Sequence, residues 1–290
     1  MKDQDQMRRF LFEQNPIRGQ HVSLDASWQK IVAQSDASGF ALTLLGHALT
    51  AVTLLVDTLK IDGSVSLQIR GSGAIHLLVA EATSSSTVRG VVRQSRELDG
   101  QISLQEIFAT NKLVITINNG SARPHQGIVP LTGDNLSQAL QAYFDQSDQL
   151  PTRFWFACDE SSAAGMLLQK LPAESTDNDA WDRVLHLAST TSNKELLELK
   201  AEKLLHRLYH EEDLRLFKAN NISFACSCSQ QRTRDMLISL GRDEVDDIVN
   251  KQNEVAITCE FCNARYAFDS VDVEQLFRGH EFVPPGLTRH

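Results

Sequence analysis

Four of the chain's five cysteines stand in two tight pairs: Cys226 and Cys228 in "CSC", and Cys259 and Cys262 in "CEFC". Each spacing presents two sulfurs from one local turn. Two such pairs brought together by a fold suit tetrahedral coordination of a single zinc ion, which accepts four thiolates without redox chemistry of its own. Iron–sulfur ligation also uses four thiolates, and four unrelated buried cysteines are the plain alternative. Thiolates are electron-rich, so an oxidant that turns them into disulfides removes the ligands. Pairing inside each cluster is kinetically easy, although the small C-x-C ring is strained and readily reduced. The four residues therefore read as a structural site when reduced and a release switch when oxidised.

Other chemistry-bearing residues give weaker signals. His206 and His210 have the i, i+4 spacing of metal ligands, but "HRLYH" lacks the glutamate that a zinc protease needs beside its first histidine, and they read as surface residues. Cys158, in the apolar run "FWFACDE", reads as an inert buried thiol. Gly71 and Gly73 read as a turn, and Trp28, Trp155 and Trp181 as packing residues. No G-x-x-x-x-G-K-[ST] phosphate loop is present.

The elements that must position the cysteines lie in residues 226–290. "QQRTRDMLISLG" predicts a helix closed by Gly241, "DEVDDIVNKQ" a second helix, "EVAITCEFCNARYAFD" a strand, cysteine turn and strand, and "VDVEQLF" a short last helix. A unit of about 65 residues has a marginal apolar core. A thiolate zinc site supplies roughly 10–16 kcal/mol of apparent folding free energy, against a typical whole-domain stability of about 5–15 kcal/mol. Metal binding would then be the main stabiliser of this unit.

Residues 1–172 read as an α+β domain built on antiparallel strands. "SVSLQIRG" alternates Val65, Leu67 and Ile69 against polar partners, "AIHLLVAEA" and "STVRGVVR" follow as strands, and "KLVITINNG" leads through Asn-Gly into "GIVPL" as a hairpin. Helix 135–147 and two more strands, "TRFWFACDE" and "AAGMLLQKL", complete it. The apolar stretch 39–59 is long enough to raise the question of a membrane span. Its periodicity predicts a two-faced core helix instead, with Leu45, Ala48, Val52, Leu55, Val56 and Leu59 inward and Thr43, His47, Thr50, Asp57 and Thr58 outward. After Pro172 the chain turns polar and turn-rich, a candidate boundary, and 180–217 reads as helical and heavily charged. In 194–210 one predicted helix carries Leu197, Ala201, Leu204, Leu205 and Leu208 on one face. Its charges help little, since Glu198/Glu202 and Lys203/Arg207 are like-charge i, i+4 pairs. It depends on docking its leucines.

Bulk composition is that of a globular protein, with 42% hydrophobic and 22% charged residues, a net charge of −9 and a pI near 5.5. That acidic balance disfavours nucleic acid as a partner. The N-terminus lacks the apolar run of a signal peptide, so the chain is expected in the cytoplasm, away from membranes, with its thiols reduced.

The chain resembles the redox-regulated thirty-three-kilodalton chaperonin family of bacterial holdases. The resemblance rests on "CSC" at 226–228, "CEFCN" at 259–263, "HEEDLRLF" at 210–217, "LLGHALTAVTLLVDTLKIDG" at 44–63 and "LPTRFWFA" at 150–157, and spans nearly the whole length. It implies that Cys226, Cys228, Cys259 and Cys262 hold one Zn2+ ion in the reduced state. Oxidation then pairs Cys226 with Cys228 and Cys259 with Cys262, and the metal leaves. It implies further that the 173–225 linker loses structure and exposes apolar surface to unfolded or partly unfolded client proteins, with Leu197, Leu204, Leu205 and Leu208 as candidate client contacts. The oxidised form is expected to be a homodimer, and no ATP hydrolysis is expected. Two other functions compete: a thiol–disulfide oxidoreductase using Cys259 and Cys262, and a zinc ribbon that binds nucleic acid.

Overall fold

A computed structural model describes residues 5–98, 103–120, 123–147, 150–173 and 177–278. The chain separates into two compact units, Met1–Ala225 and Cys226–His290.

The first unit is built around two six-stranded sheets. In one, strands Leu214–Leu216, Gln6–Phe12, Ile17–Leu24, Ala163–Lys170 and Thr152–Cys158 lie in that order, with Asn220–Asn221 also pairing Gln6–Phe12. In the other the order is Ser223–Phe224, Thr87–Gln94, Ile75–Thr83, Gly63–Arg70, Lys112–Asn119 and His125–Pro130. Pairing is antiparallel except where Ser223–Phe224 lies parallel to Thr87–Gln94. The alternation of the sequence sets these faces: Val65, Leu67 and Ile69 are buried, and the expected 112–130 hairpin forms with Leu113 opposite Val129.

Helix Gly39–Leu59 packs on strands of both sheets. Its surroundings correct the two-faced expectation. Thr50 and Thr58, expected outward, are buried along with Thr53. A β-branched hydroxyl can be buried in a helix when it bonds its own backbone. Thr50 Oγ1 donates to the Gly46 carbonyl at 3.1 Å, Thr53 to Leu49 at 2.7 Å and Thr58 to Leu54 at 2.7 Å. Periodicity alone could not separate a polar surface from satisfied buried hydroxyls. The helix reaches close to its neighbours where side chains are absent. A Cβ at Gly46 would lie 2.4 Å from Cys158 Sγ, and one at Gly90 would lie 2.9 Å from Leu45 Cδ1. This helix is long and apolar enough to cross a membrane, and most of it is buried inside the protein.

The sheet containing Ala163–Lys170 is covered on both faces. Ala163 and Leu167 join the cluster around the Gly39–Leu59 helix, whereas Ala164, Met166 and Leu168 join a second cluster under helices Ala180–Ser189, Asn193–Glu198 and Ala201–Tyr209. Burial on both faces explains why this strand reads as a continuous apolar run.

The 194–208 expectation needs a second correction. Two short helices replace the single one, because Leu199 and Lys200 are extended, with ψ of 144° and 150°. The Ser192–Glu195 capping box opens the first helix. The Glu195 carboxylate then accepts from Arg207 Nη2 at 2.9 Å, joining the two helices. Glu202 pairs with Arg8 at 2.8 Å, so the charges that looked idle along one helix act between elements. Residues 214–224, not anticipated as strands, return across both sheets in short pairings. The only local hint was the alternation of Leu214 and Leu216.

In the second unit, helices Gln230–Leu240 and Arg242–Gln252, hairpin Glu254–Thr258/Arg265–Asp269 and helix Ser270–Phe277 follow the predicted order. They enclose a small core of Leu237, Val245, Val249, Val255, Phe268, Val273 and Phe277.

Candidate metal centre

Local geometry delivers the two cysteine pairs differently. Cys226 and Cys228 lie in the segment that enters helix Gln230–Leu240. Ser229 caps that helix by accepting from the Arg232 amide at 3.2 Å, and Arg232 Nη1 returns to the Ser227 carbonyl at 3.0 Å. Cys259 and Cys262 occupy the hairpin turn between Thr258 and Arg265. The Cys259 amide donates to the Ala264 carbonyl at 2.9 Å, and the Asn263 amide donates to the Cys259 carbonyl at 2.8 Å. Asn263 is left-handed, with φ of 52°, a conformation that asparagine tolerates well.

The fold brings all four sulfurs within 4.8 Å of one another. Two sulfur–sulfur contacts run between the pairs: Cys226 Sγ to Cys259 Sγ is 3.6 Å and Cys228 Sγ to Cys262 Sγ is 3.2 Å. A disulfide needs about 2.05 Å, so these are free thiols in contact. Four thiolates about 2.3 Å from a central zinc stand roughly 3.8 Å apart. The observed cluster is close to that spacing, and all four residues are half-buried. The donor set therefore fits one tetrahedral, thiophilic cation. Burial, reinforced by contacts with the other three sulfurs, holds the Cys262 thiol well above its ordinary ionisation range. A cation among the sulfurs inverts that preference, since a coordinating thiol is deprotonated.

Tyr266, which no spacing or motif in the sequence marks, supplies an outer contact: its Oη donates to Cys228 Sγ at 3.2 Å. The residue stands opposite Ile257 in the hairpin register, so both flanks of the cysteine turn shape the site. The C-x-x-C lies in a hairpin turn and not at a helix N-terminus, where disulfide oxidoreductases lower a cysteine pKa.

The remaining candidates lie elsewhere. Leu197, Leu204, Leu205 and Leu208 are all buried, packed with Phe10, Phe12 and Tyr209 in the first unit. Cys158 is half-buried beside Gly46, and burial, with a smaller contribution from the Asp159 charge, pushes its thiol up to about 12. The His206 and His210 rings are 6.1 Å apart. Among the described residues, the four cysteines are the one grouping of three or more metal-capable side chains. Trp28 is buried and donates its indole Nε1–H to the Asp159 carbonyl at 2.9 Å, as a packing residue would.

Comparison with known proteins points one way. The sequence model of the family described as "Hsp33 protein" matches residues 5–269. The chain is 43% identical over 293 residues to the "33 kDa chaperonin" of Nitrosococcus oceani, with both chains fully covered. It is 43% identical over 294 residues to that of Methylobacillus flagellatus and 41% identical over 297 residues to that of Pseudomonas aeruginosa, again with full coverage of each. Among solved structures, the 33 kDa chaperonin of Thermotoga maritima superposes with a TM-score of 0.80, covering 95% of this chain and 98% of that one at 23% identity, a likeness of fold.

Proposed function

Because the chain belongs to the Hsp33 family, we propose that it is a redox-regulated, ATP-independent holdase of the cytoplasm, inactive while reduced and metal-bound. The observation that carries this reading is the meeting of four thiols within 4.8 Å in a unit whose own apolar core, among the described residues, holds seven buried side chains. Cys226, Cys228, Cys259 and Cys262 would hold Zn2+, which supplies a redox-inert tetrahedral centre that the thiolates lock shut. So small a core leans on that centre for its stability.

Oxidation acts on the ligands. A peroxide takes two electrons from each cysteine pair; counted from the thiols, two protons follow and two waters leave, and one sulfur–sulfur bond forms per pair. Sulfurs bonded to each other no longer serve as thiolate ligands. We assign the disulfides to Cys226–Cys228 and Cys259–Cys262. The switch connects to the linker through the backbone: a single residue, Ala225, separates the Ser223–Phe224 strand from Cys226, and its amide bonds the Val88 carbonyl at 3.2 Å. Disorder entering at Cys226 would loosen that short strand first and then the pairings at 214–221.

Residues 173–225 are then the metastable linker, and Leu197, Leu204, Leu205 and Leu208 become client contacts once uncovered. In the described state they are buried and unable to touch a client. Exposed apolar faces on the activated chain would also favour a homodimer.

The test is a light-scattering assay with a thermally unfolding client. Reduced, zinc-loaded protein should leave aggregation unchanged. The same protein treated with peroxide under mild unfolding stress should release one zinc, lose four thiols and suppress aggregation near equimolar ratio. Equal activity of both forms, or none from the oxidised form, contradicts the proposal.

A further inference from the structure

Tyr266 sits where a side chain from outside the cysteine set reaches a candidate ligand. Its Oη donates to Cys228 Sγ at 3.2 Å, the same separation that divides Cys228 Sγ from Cys262 Sγ. The phenol is braced by strand pairing and by packing. Tyr266 lies in strand Arg265–Asp269 opposite Ile257, and its ring packs against the small core of the second unit. A donor fixed in this way loses little freedom when the bond forms, and hydrogen bonds to an ionised acceptor are the stronger kind. We propose that the Tyr266 hydroxyl positions and electronically tunes the Cys228 sulfur, raising the metal affinity of the four-cysteine site and slowing the oxidation of Cys228.

The proposal rests on the metal-site reading above and deepens it. Outer contacts that orient a metal ligand are worth about ten- to a hundredfold in affinity. The same bond occupies a sulfur lone pair. In the oxidation step, a thiolate lone pair attacks one peroxide oxygen, the O–O bond breaks, and sulfenic acid and hydroxide form. A second thiolate then displaces hydroxide to close the disulfide. A lone pair already engaged by O–H is a poorer nucleophile for the first attack. The phenol also gives Cys228 a contact that withdrawal of the ring would remove without changing any cysteine.

The full-length chain with Tyr266→Phe keeps the ring and removes the hydroxyl. Reduced protein is loaded with zinc or with cobalt(II) as a spectroscopic probe. Chelator competition should show the metal held roughly ten- to a hundredfold more weakly than in the unsubstituted chain. The sulfur-to-cobalt charge-transfer band should move to lower energy, because the Cys228 lone pair is no longer stabilised. Mass spectrometry after peroxide treatment should find Cys228 thiol lost severalfold faster, with Cys158 unchanged. Ile257→Val, which perturbs the packing across from Tyr266 and spares the hydroxyl, should leave the band in place. An unmoved band with unchanged affinity in Tyr266→Phe, or an equal shift in Ile257→Val, overturns the proposal and leaves the metal site intact. Failure of the unsubstituted chain to take up either metal overturns the metal-site reading itself.

Discussion

At the scale of single residues, five cysteines divide into two chemical classes. Four share one small volume and are competent to bind a cation as thiolates. Cys158 stands beside the Gly39–Leu59 helix, its thiol pushed up to about 12 by burial, so it is protonated at neutral pH and a poor nucleophile. Cys262→Ser should therefore abolish stoichiometric zinc binding, read by metal analysis of the purified reduced protein, whereas Cys158→Ser should leave it at one ion per chain. Once metal removal has unfolded the second unit and so relieved the burial of its sulfurs, iodoacetamide at neutral pH should modify Cys226, Cys228, Cys259 and Cys262 well before Cys158. Rapid labelling of Cys158 in the folded chain would show that its burial had been misjudged.

At the scale of elements, the helices between 180 and 209 are held by leucines and tuned by charge. Leu204 is fully buried among side chains of the underlying sheet. Leu204→Ala should destabilise the first unit by about 2–5 kcal/mol in denaturant titration, and it should lower the oxidant dose needed for client binding if this segment is the one that opens. Exposed ion pairs here add little by comparison. Glu195 nevertheless gives the segment a pH signature. Its carboxyl drops from an ordinary 4.5 to about 2, chiefly through the Ser192 amide and then through Arg207. A depressed carboxyl contributes stability that is whole above its unfolded value and fades as pH falls toward the folded one. Loosening of Asn193–Tyr209 should therefore develop between about pH 4.5 and pH 2, and Glu195→Gln should flatten it. Amide hydrogen exchange across these helices is the measurement, and protection that stays constant through that range would refute it.

At the scale of the whole molecule, the two units differ in what stabilises them. The first has two broad apolar clusters on either side of a shared sheet; the second has a small core and four sulfurs. Stripping metal with a chelator from the reduced protein should melt Cys226–His290 at ambient temperature while strands such as Gly63–Arg70 and Ala163–Lys170 stay protected. Two separated calorimetric transitions in the loaded protein, the smaller of them metal-dependent, would express the same asymmetry. The clustering of four cysteines, the hairpin that carries two of them and most strands were legible in the sequence, because cysteine spacing and period-two alternation are local properties of neighbouring residues. The break at Leu199–Lys200, the short returns of 214–224, the buried threonines of the central helix and the Tyr266–Cys228 bond were not. Each depends on which distant surface arrives opposite, and pattern along the chain carries no record of that. What the linear order of residues determined was the chemistry available, four thiols and a stretch of leucines awaiting a partner. Tertiary packing alone decided that the sulfurs would meet within coordinating distance and that the leucines would be covered, since only folding supplies the groups that desolvate them.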